Sequence, residues 1–349
     1  LMMGSAGGGD WMMYAVPQFV RFVAAFMVML LMAVMPMRVL FDYAYVIFFA
    51  LVLVLVAVDV AGHIGMGAQR WIKVGFIQIQ PSEVMKIAMP LMLAWYFQKR
   101  EGIQKSWDYG VAAIILAIPV FLIARQPDLG TALLVFAAGL YVIILAGLPW
   151  KWILPFVALG VVGILLIIIF GSTICAHDVV WPFVHNYQKH RVCTLLDPTS
   201  DPLGKGFHTI QSMIAIGSGG FFGKGWFQGT QAHLEFIPEK HTDFVFAVFS
   251  EEFGLLGNLV LLALFFALIK RGLAISASAP NLFTRLLGAA VTLIFFTYAF
   301  VNIGMVSGLL PVVGVPLPFI SYGGTALVTL GFGAGILMSI HRHRRLVQS

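Results

Sequence analysis

A carboxylate stands where a polar loop meets an apolar helix: His241-Thr242-Asp243, followed by Phe244-Val245-Phe246-Ala247-Val248-Phe249. An acid at such a boundary is placed to act as a general base on a substrate that lies partly in lipid. It is placed equally well to cap the helix that it precedes, and the spacing leaves both roles open. The helix N-terminus stabilises its charge in either case. Glu251 and Glu252 follow about 12 Å deeper along the same helix. Carboxylates at that depth have to face the protein interior and find partners, so a hydrogen-bonded structural role is expected for them.

A second cluster is Gln80-Pro81-Ser82-Glu83-Val84-Met85-Lys86. Pro81 suits the first position of a helix, which puts Glu83 in the first turn and Lys86 on the same face three residues on. One reading is a local ion pair that costs a few tenths of a kcal/mol to break. The other is a charged pair that meets a lipid-linked phosphate or its counter-ion. Arg125-Gln126-Pro127-Asp128-Leu129-Gly130-Thr131 is a third polar cluster between apolar runs.

The Gly-rich run Ile216-Gly217-Ser218-Gly219-Gly220-Phe221-Phe222-Gly223-Lys224-Gly225-Trp226 matches neither the phosphate-loop nor the dinucleotide pattern. It reads as a tightly packed re-entrant loop, or as a backbone cradle for pyrophosphate with Lys205 and Lys224 as point charges. His177, His185, His190, His208, His233 and His241 are too irregularly spaced to argue a metal cage. Cys175 and Cys193 have no metal-type spacing and are able to pair in an oxidising compartment.

The elements that carry these residues follow from composition. The chain has 349 residues, 60% hydrophobic and only 10% charged, against about 25% charged in soluble proteins. Continuous apolar runs predict an all-α, polytopic transmembrane helical bundle. Nine spans are expected, near 17–35, 39–60, 82–98, 110–125, 130–147, 152–171, 244–269, 285–306 and 320–340. Leu1 to Gly8 resembles the tail of a further helix, which would make ten, and no cleavable signal peptide is recognisable. The net charge of +6 is what cytoplasmic Lys and Arg produce and does not point to nucleic acid.

Arg38, Lys99, Arg100, Lys105, Lys151, Lys270, Arg271, Arg342, Arg344 and Arg345 share one side, with Arg70, Lys73 and Arg125 opposite. The majority side is expected to be cytoplasmic, C-terminus included. The loop 172–243 is then outside.

Several segments together resemble the SEDS family (shape, elongation, division and sporulation). They are Leu196-Asp197-Pro198, Gln211-Ser212, Gly223-Lys224-Gly225-Trp226, Leu234-Glu235-Phe236-Ile237-Pro238-Glu239-Lys240-His241-Thr242-Asp243, and the run from Asn302 to Thr325. Trp226-Phe227-Gln228-Gly229-Thr230-Gln231 is closer to the elongation branch than to the division branch.

The resemblance implies a single SEDS-type membrane domain over 1–349, with 172–243 as its extracytoplasmic loop. It implies a peptidoglycan glycosyltransferase of the bacterial inner membrane whose active site faces the periplasm. Its substrate would be lipid II, an undecaprenyl-pyrophosphate-linked disaccharide-peptide. Its partners would be a class B penicillin-binding protein and other elongation-complex membrane proteins. Asp243 corresponds to the family's essential carboxylate, and Glu83 and Lys86 to the polar pair of its central cavity.

The chemistry expected is a single displacement with inversion. A positioned base supplies roughly 10²–10⁴-fold, and the pyrophosphate leaving group needs cations. Glu83, Lys86, Lys205, Lys224 and Arg125 are the candidate substrate- or cation-binding residues. A divalent ion, magnesium or manganese, is expected, with ligands that the sequence does not identify. The rival readings are a lipid II flippase or ion-coupled transporter using Glu83, Glu251 and Glu252 as relays, and a scaffold for a synthase partner.

Overall fold

A computed structural model describes residues 11–61, 63–65, 68–74, 77–103, 105–126, 128–175, 179, 186–200, 204–233 and 241–343. In chain order the elements are α1 (Trp11–Val34), α2 (Met37–Ala61), β1 (His63–Gly65), β2 (Ala68–Val74), β3 (Ile77–Ile79), α3 (Pro81–Lys99), α4 (Ser106–Arg125), α5 (Leu129–Leu145) and α6 (Trp150–Ile169). They continue with α7 (Gly171–Ile174), α8 (Asn186–Leu196), α9 (Lys205–Ser218), α10 (Thr230–His233), α11 (Val245–Ala277), α12 (Leu282–Val306) and α13 (Thr325–Arg342). The expected apolar stretches all fall on helices. Seven of these are long and apolar enough to cross a membrane by length and composition, which makes the chain a multi-pass membrane protein. The apparent helix tail at Leu1 to Gly8 lies outside the described residues.

One feature departs from the all-α expectation. Between α2 and α3, β2 pairs antiparallel with β1 and with β3, in register Ile64↔Gln69 and Ile72↔Ile79. The segment Ala68-Gln69-Arg70-Trp71-Ile72-Lys73-Val74 has no clean polar–apolar alternation, so a strand period does not show in its sequence. The segment 172–243 likewise contains helices α8 and α9. The last span starts at Thr325 rather than 320, because Gly323 and Gly324 delay the helix.

The chain forms two compact units. One comprises Leu1–Ala15, Leu148–Leu261 and Phe300–Ser321; the other comprises Val16–Gly147, Leu262–Ala299 and Tyr322–Ser349.

In the second unit α3 is the buried centre. Apolar residues on all its sides, Met85 through Phe97, are covered, and it packs against α2 and α5. A side chain at Gly139 of α5 would lie 2.5 Å from Leu116 and 3.1 Å from Leu93, so a larger residue there would have to displace leucine side chains. Along a second seam, α1 meets α13 almost backbone to backbone. A Cβ on Gly331 or Gly335 would sit 2.5 Å from the carbonyls of Ala25 and Met29. In hydrocarbon such close packing replaces the hydrophobic drive that helices have in water.

In the first unit α6 buries no side chain at all, as suits a helix bathed in lipid. Cys175, just past α7, is disulfide-bonded to Cys193 of α8, so the pairing left open by the sequence is made. The bond closes the first third of the 172–243 segment into a loop, which restricts its unfolded ensemble.

Candidate active site

Asp243 lies in the turn two residues ahead of α11 and is half-buried. Its backbone carbonyl accepts a 2.8 Å hydrogen bond from Asn302 Nδ2, which also donates to the carbonyl of Val315 at 2.7 Å. Asn302 is fully buried on α12. One amide therefore ties the acid-bearing turn to the segment after α12. That segment approaches closely: at Gly314, whose φ is +77°, a Cβ would stand 3.3 Å from Asp243 Oδ2. A residue larger than glycine at this position would crowd the carboxylate.

The helix that Asp243 precedes is broken. Gly254 has φ 63° and ψ −160° inside α11, a conformation that glycine alone adopts without strain. A break in a membrane-grade helix releases backbone groups that hydrocarbon cannot satisfy, and the Gly-rich run supplies their partners. The amides of Lys224 and Gly225 donate to the carbonyls of Glu251 and Glu252 at 3.0 Å each; the amides of Leu255 and Leu256 donate to the carbonyls of Gly220 and Phe221 at 2.9 and 3.1 Å. The approach leaves no room for side chains. A Cβ on Gly223 would meet the Glu252 carbonyl at 2.0 Å, and one on Gly254 would meet the Gly223 amide at 2.3 Å. The run is thus a tightly packed loop clasping the break.

Lys224 completes the clasp. Its Nζ lies 2.6 Å from Glu251 Oε1 and donates to Thr230 Oγ1 at 2.9 Å. Glu251 is fully buried and also accepts from the Thr230 amide and hydroxyl, both at 2.9 Å, and from the Gln231 amide. The carboxylate sequence reasoning assigned to structure is held in that way, and Lys224, taken from sequence as a phosphate contact, is its counter-ion here. Gly223→Ala is expected to cost roughly 2–5 kcal/mol, from a left-handed φ and backbone overlap. Gly217→Ala, with open space around its Cβ, is expected to be neutral or slightly stabilising. Unfolding midpoints of both variants in detergent provide the comparison, and equal midpoints would remove the clasp.

The second unit gathers the other two clusters. Lys86 Nζ donates to Glu83 Oε1 and to Tyr298 Oη, each at 2.6 Å, and Tyr298 Oη donates to Glu83 Oε2 at 3.2 Å. The side chains are buried, with Glu83 6% and Lys86 1% exposed, so the pair is not the solvated surface contact for which a few tenths of a kcal/mol applies. Tyr298, on α12 and 212 residues from Lys86, was not among the sequence candidates. Gln80, just before α3, donates to Asp128 Oδ2 at 2.6 Å, and Asp128 Oδ1 caps α5 through the Thr131 amide at 3.2 Å. The clusters at 80–86 and 125–131 are therefore one polar assembly. Arg125 Nη2 lies 3.7 Å from Asp59 Oδ2 at the end of α2, with its side chain 59% exposed.

Lys205 opens α9; its side chain lies outside the described residues, as do Leu234 through Lys240, His177 and His185. Among the described residues no three His, Cys, Asp or Glu side chains converge as a metal cage.

Three comparisons bear on this arrangement. A family profile described as cell cycle protein, FtsW/RodA/SpoVE, matches residues 3–346. The peptidoglycan glycosyltransferase MrdB of Escherichia coli strain K12 is 49% identical over 321 residues, which is 92% of this chain and 83% of that protein. Stage V sporulation protein E of Bacillus subtilis is 38% identical over 300 residues, covering 85% and 77% of the two chains. Among solved structures, a chain from a peptidoglycan synthase complex that coordinates polymerization and crosslinking aligns with a TM-score of 0.77 at 36% identity, over 94% of this chain and 89% of that one. The rod shape determining protein RodA of Thermus thermophilus aligns with a TM-score of 0.70 at 29% identity, over 98% and 91%.

Proposed function

The chain belongs to the FtsW, RodA and SpoVE family of cell-cycle proteins and is a peptidoglycan glycosyltransferase, and we propose that it polymerises lipid II with Asp243 as general base. The observation that carries the reading is the turn at Asp243, which Asn302 pins to the Val315 carbonyl while Gly314 leaves the carboxylate room. A base held this way takes the proton of the acceptor's sugar hydroxyl as that oxygen bonds to the donor's anomeric carbon. The bond from that carbon to the pyrophosphate oxygen breaks, and undecaprenyl pyrophosphate leaves with the electron pair. One displacement inverts the anomeric centre.

The departing pyrophosphate needs positive charge. Lys205 and Arg125 are the proposed contacts, with Lys86 holding Glu83 in the buried assembly beside them in role. Lys224 contributes indirectly, through the clasp on Glu251. A magnesium or manganese ion would supply further charge; the described side chains form no cage for it, so phosphate oxygens and water would make most of its coordination. No residue of the chain is assigned to it.

The same reading makes 1–349 one membrane domain of the bacterial inner membrane, its C-terminus in the cytoplasm, and 172–243 on the periplasmic side. The Lys and Arg asymmetry supports that orientation, and the bonded Cys175–Cys193 pair suits an oxidising compartment. A class B penicillin-binding protein is the proposed partner, with other elongation-complex membrane proteins around it.

The test is polymerisation of lipid II by the purified chain in detergent without an ion gradient, alone and with a partner lacking its transpeptidase serine. Slow strand formation alone and faster formation in the complex are expected, because docking has to favour one state of the enzyme over another. No glycan under either condition would refute the reading, and equal rates would leave a docked pair without activation.

A further inference from the structure

Arg21 is the charge that this site does not use. It lies on α1 inside a helix long and apolar enough to cross a membrane, ten residues past Trp11, about 15 Å at helical rise. A charged side chain at such depth is costly unless it is paired. Among the described residues no carboxylate pairs with Arg21, the ion pairs there being made by Arg38, Lys86, Arg100, Arg125 and Lys224. Its guanidinium instead stands 4.3 Å over the ring of Tyr322. Ring attraction orients an arginine and offsets part of the cost, but it supplies no counter-charge.

The position is fixed by packing. Arg21, Ala25, Met29 and Met32 recur along one face of α1, and the last three meet Gly331 and Gly335 of α13 at backbone distance. Arg21 therefore tops a closed seam. Beyond it the surroundings open: Arg21, Tyr322, Gly323 and Gly324 are all partly exposed. A Cβ added to Gly324 would meet the Arg21 side chain at 3.7 Å, an ordinary contact distance, so the guanidinium stands directly over this glycine backbone. No side chain caps the first turn of α13.

We propose that Arg21, Tyr322 and the Gly323-Gly324 backbone form a binding site for the phosphate of a membrane lipid. Phosphate suits the guanidinium fork, which donates two parallel hydrogen bonds to it while the ring holds the plane in place. Two lipids carry that chemistry: an anionic phospholipid through its phosphodiester, and the polyprenyl substrate or product through its pyrophosphate. The leaflet rests on the orientation proposed above, but the chemistry does not.

Native mass spectrometry of the full chain, titrated separately with phosphatidylglycerol, undecaprenyl pyrophosphate and uncharged diacylglycerol, tests this without catalysis. Arg21→Gln is expected to weaken phosphate-lipid binding by at least about tenfold and to leave diacylglycerol unchanged. Loss for both phosphate lipids identifies a general lipid phosphate site; loss for undecaprenyl pyrophosphate alone identifies a substrate or product site. Tyr322→Leu, which keeps the charge and removes the ring beneath it, is expected to weaken binding less, and it serves if Arg21→Gln fails to fold. Unchanged binding of both phosphate lipids in a folded variant would overturn the proposal, even if the chain polymerises normally.

Discussion

Asp243→Asn is expected to lower polymerisation of lipid II by at least about 10²-fold while the protein folds and binds its partner as before. The change removes the base and keeps the shape of the side chain. Asn has the shape of Asp, retains a capping oxygen, and leaves untouched the backbone carbonyl through which Asn302 holds the turn. The loss should fall on turnover rather than on substrate affinity, since the proton moves only as the new bond forms. Asn302→Ala offers the contrast. It keeps the base but releases the turn from Val315, so activity should fall together with thermal stability. Near wild-type turnover in Asp243→Asn would return that residue to a capping role.

Lys86→Met should cost the fold about 3–5 kcal/mol, because it leaves the Glu83 carboxylate buried without its cation. A surface pair of the same residues would cost a tenth of that; the 2.6 Å contact at 1% exposure makes the difference. Neutralising both, as Glu83→Gln with Lys86→Met, should recover most of the stability, since two neutral groups of similar volume replace a desolvated pair. Activity is the deciding measurement. If the pair handles the substrate, the double variant folds and still polymerises poorly. Full activity in the double variant would make the pair a structural element only. Tyr298→Phe should lie between, removing one hydroxyl that bonds both charges at a cost of about 1–3 kcal/mol.

Legibility in the sequence followed the physics of each element. The spans could be read because hydrocarbon demands long apolar runs, and Glu251 could be assigned a structural role because a deep carboxylate requires partners. Its partners were harder to name. Lys224 was read as a phosphate contact, and nothing local to it announces the carboxylate 27 residues on that it also meets. Tyr298 was invisible for a similar reason: an aromatic in an apolar span usually packs, and only the fold brings its hydroxyl to Glu83 and Lys86. The strands at 63–79 were hidden by the expectation that a short charged connection in a membrane protein is a loop. Asn302 entered the sequence reading only as the start of the run to Thr325, and its link between the Asp243 turn and Val315 is a property of three dimensions.

The broken helix has a consequence for how the protein is made. The carbonyls of Glu251 and Glu252 and the amides of Leu255 and Leu256 are bonded across to the segment 220–225. As a lone span entering lipid, α11 would carry those groups bare, each at a cost of several kcal/mol. That segment is synthesised before the span, so it is on hand when the span emerges from the ribosome. It has to fold back as the span settles, which makes insertion of α11 and closure of the loop one event. Synthesis order, with the clasp ahead of the break, is therefore part of how this membrane helix is able to exist at all.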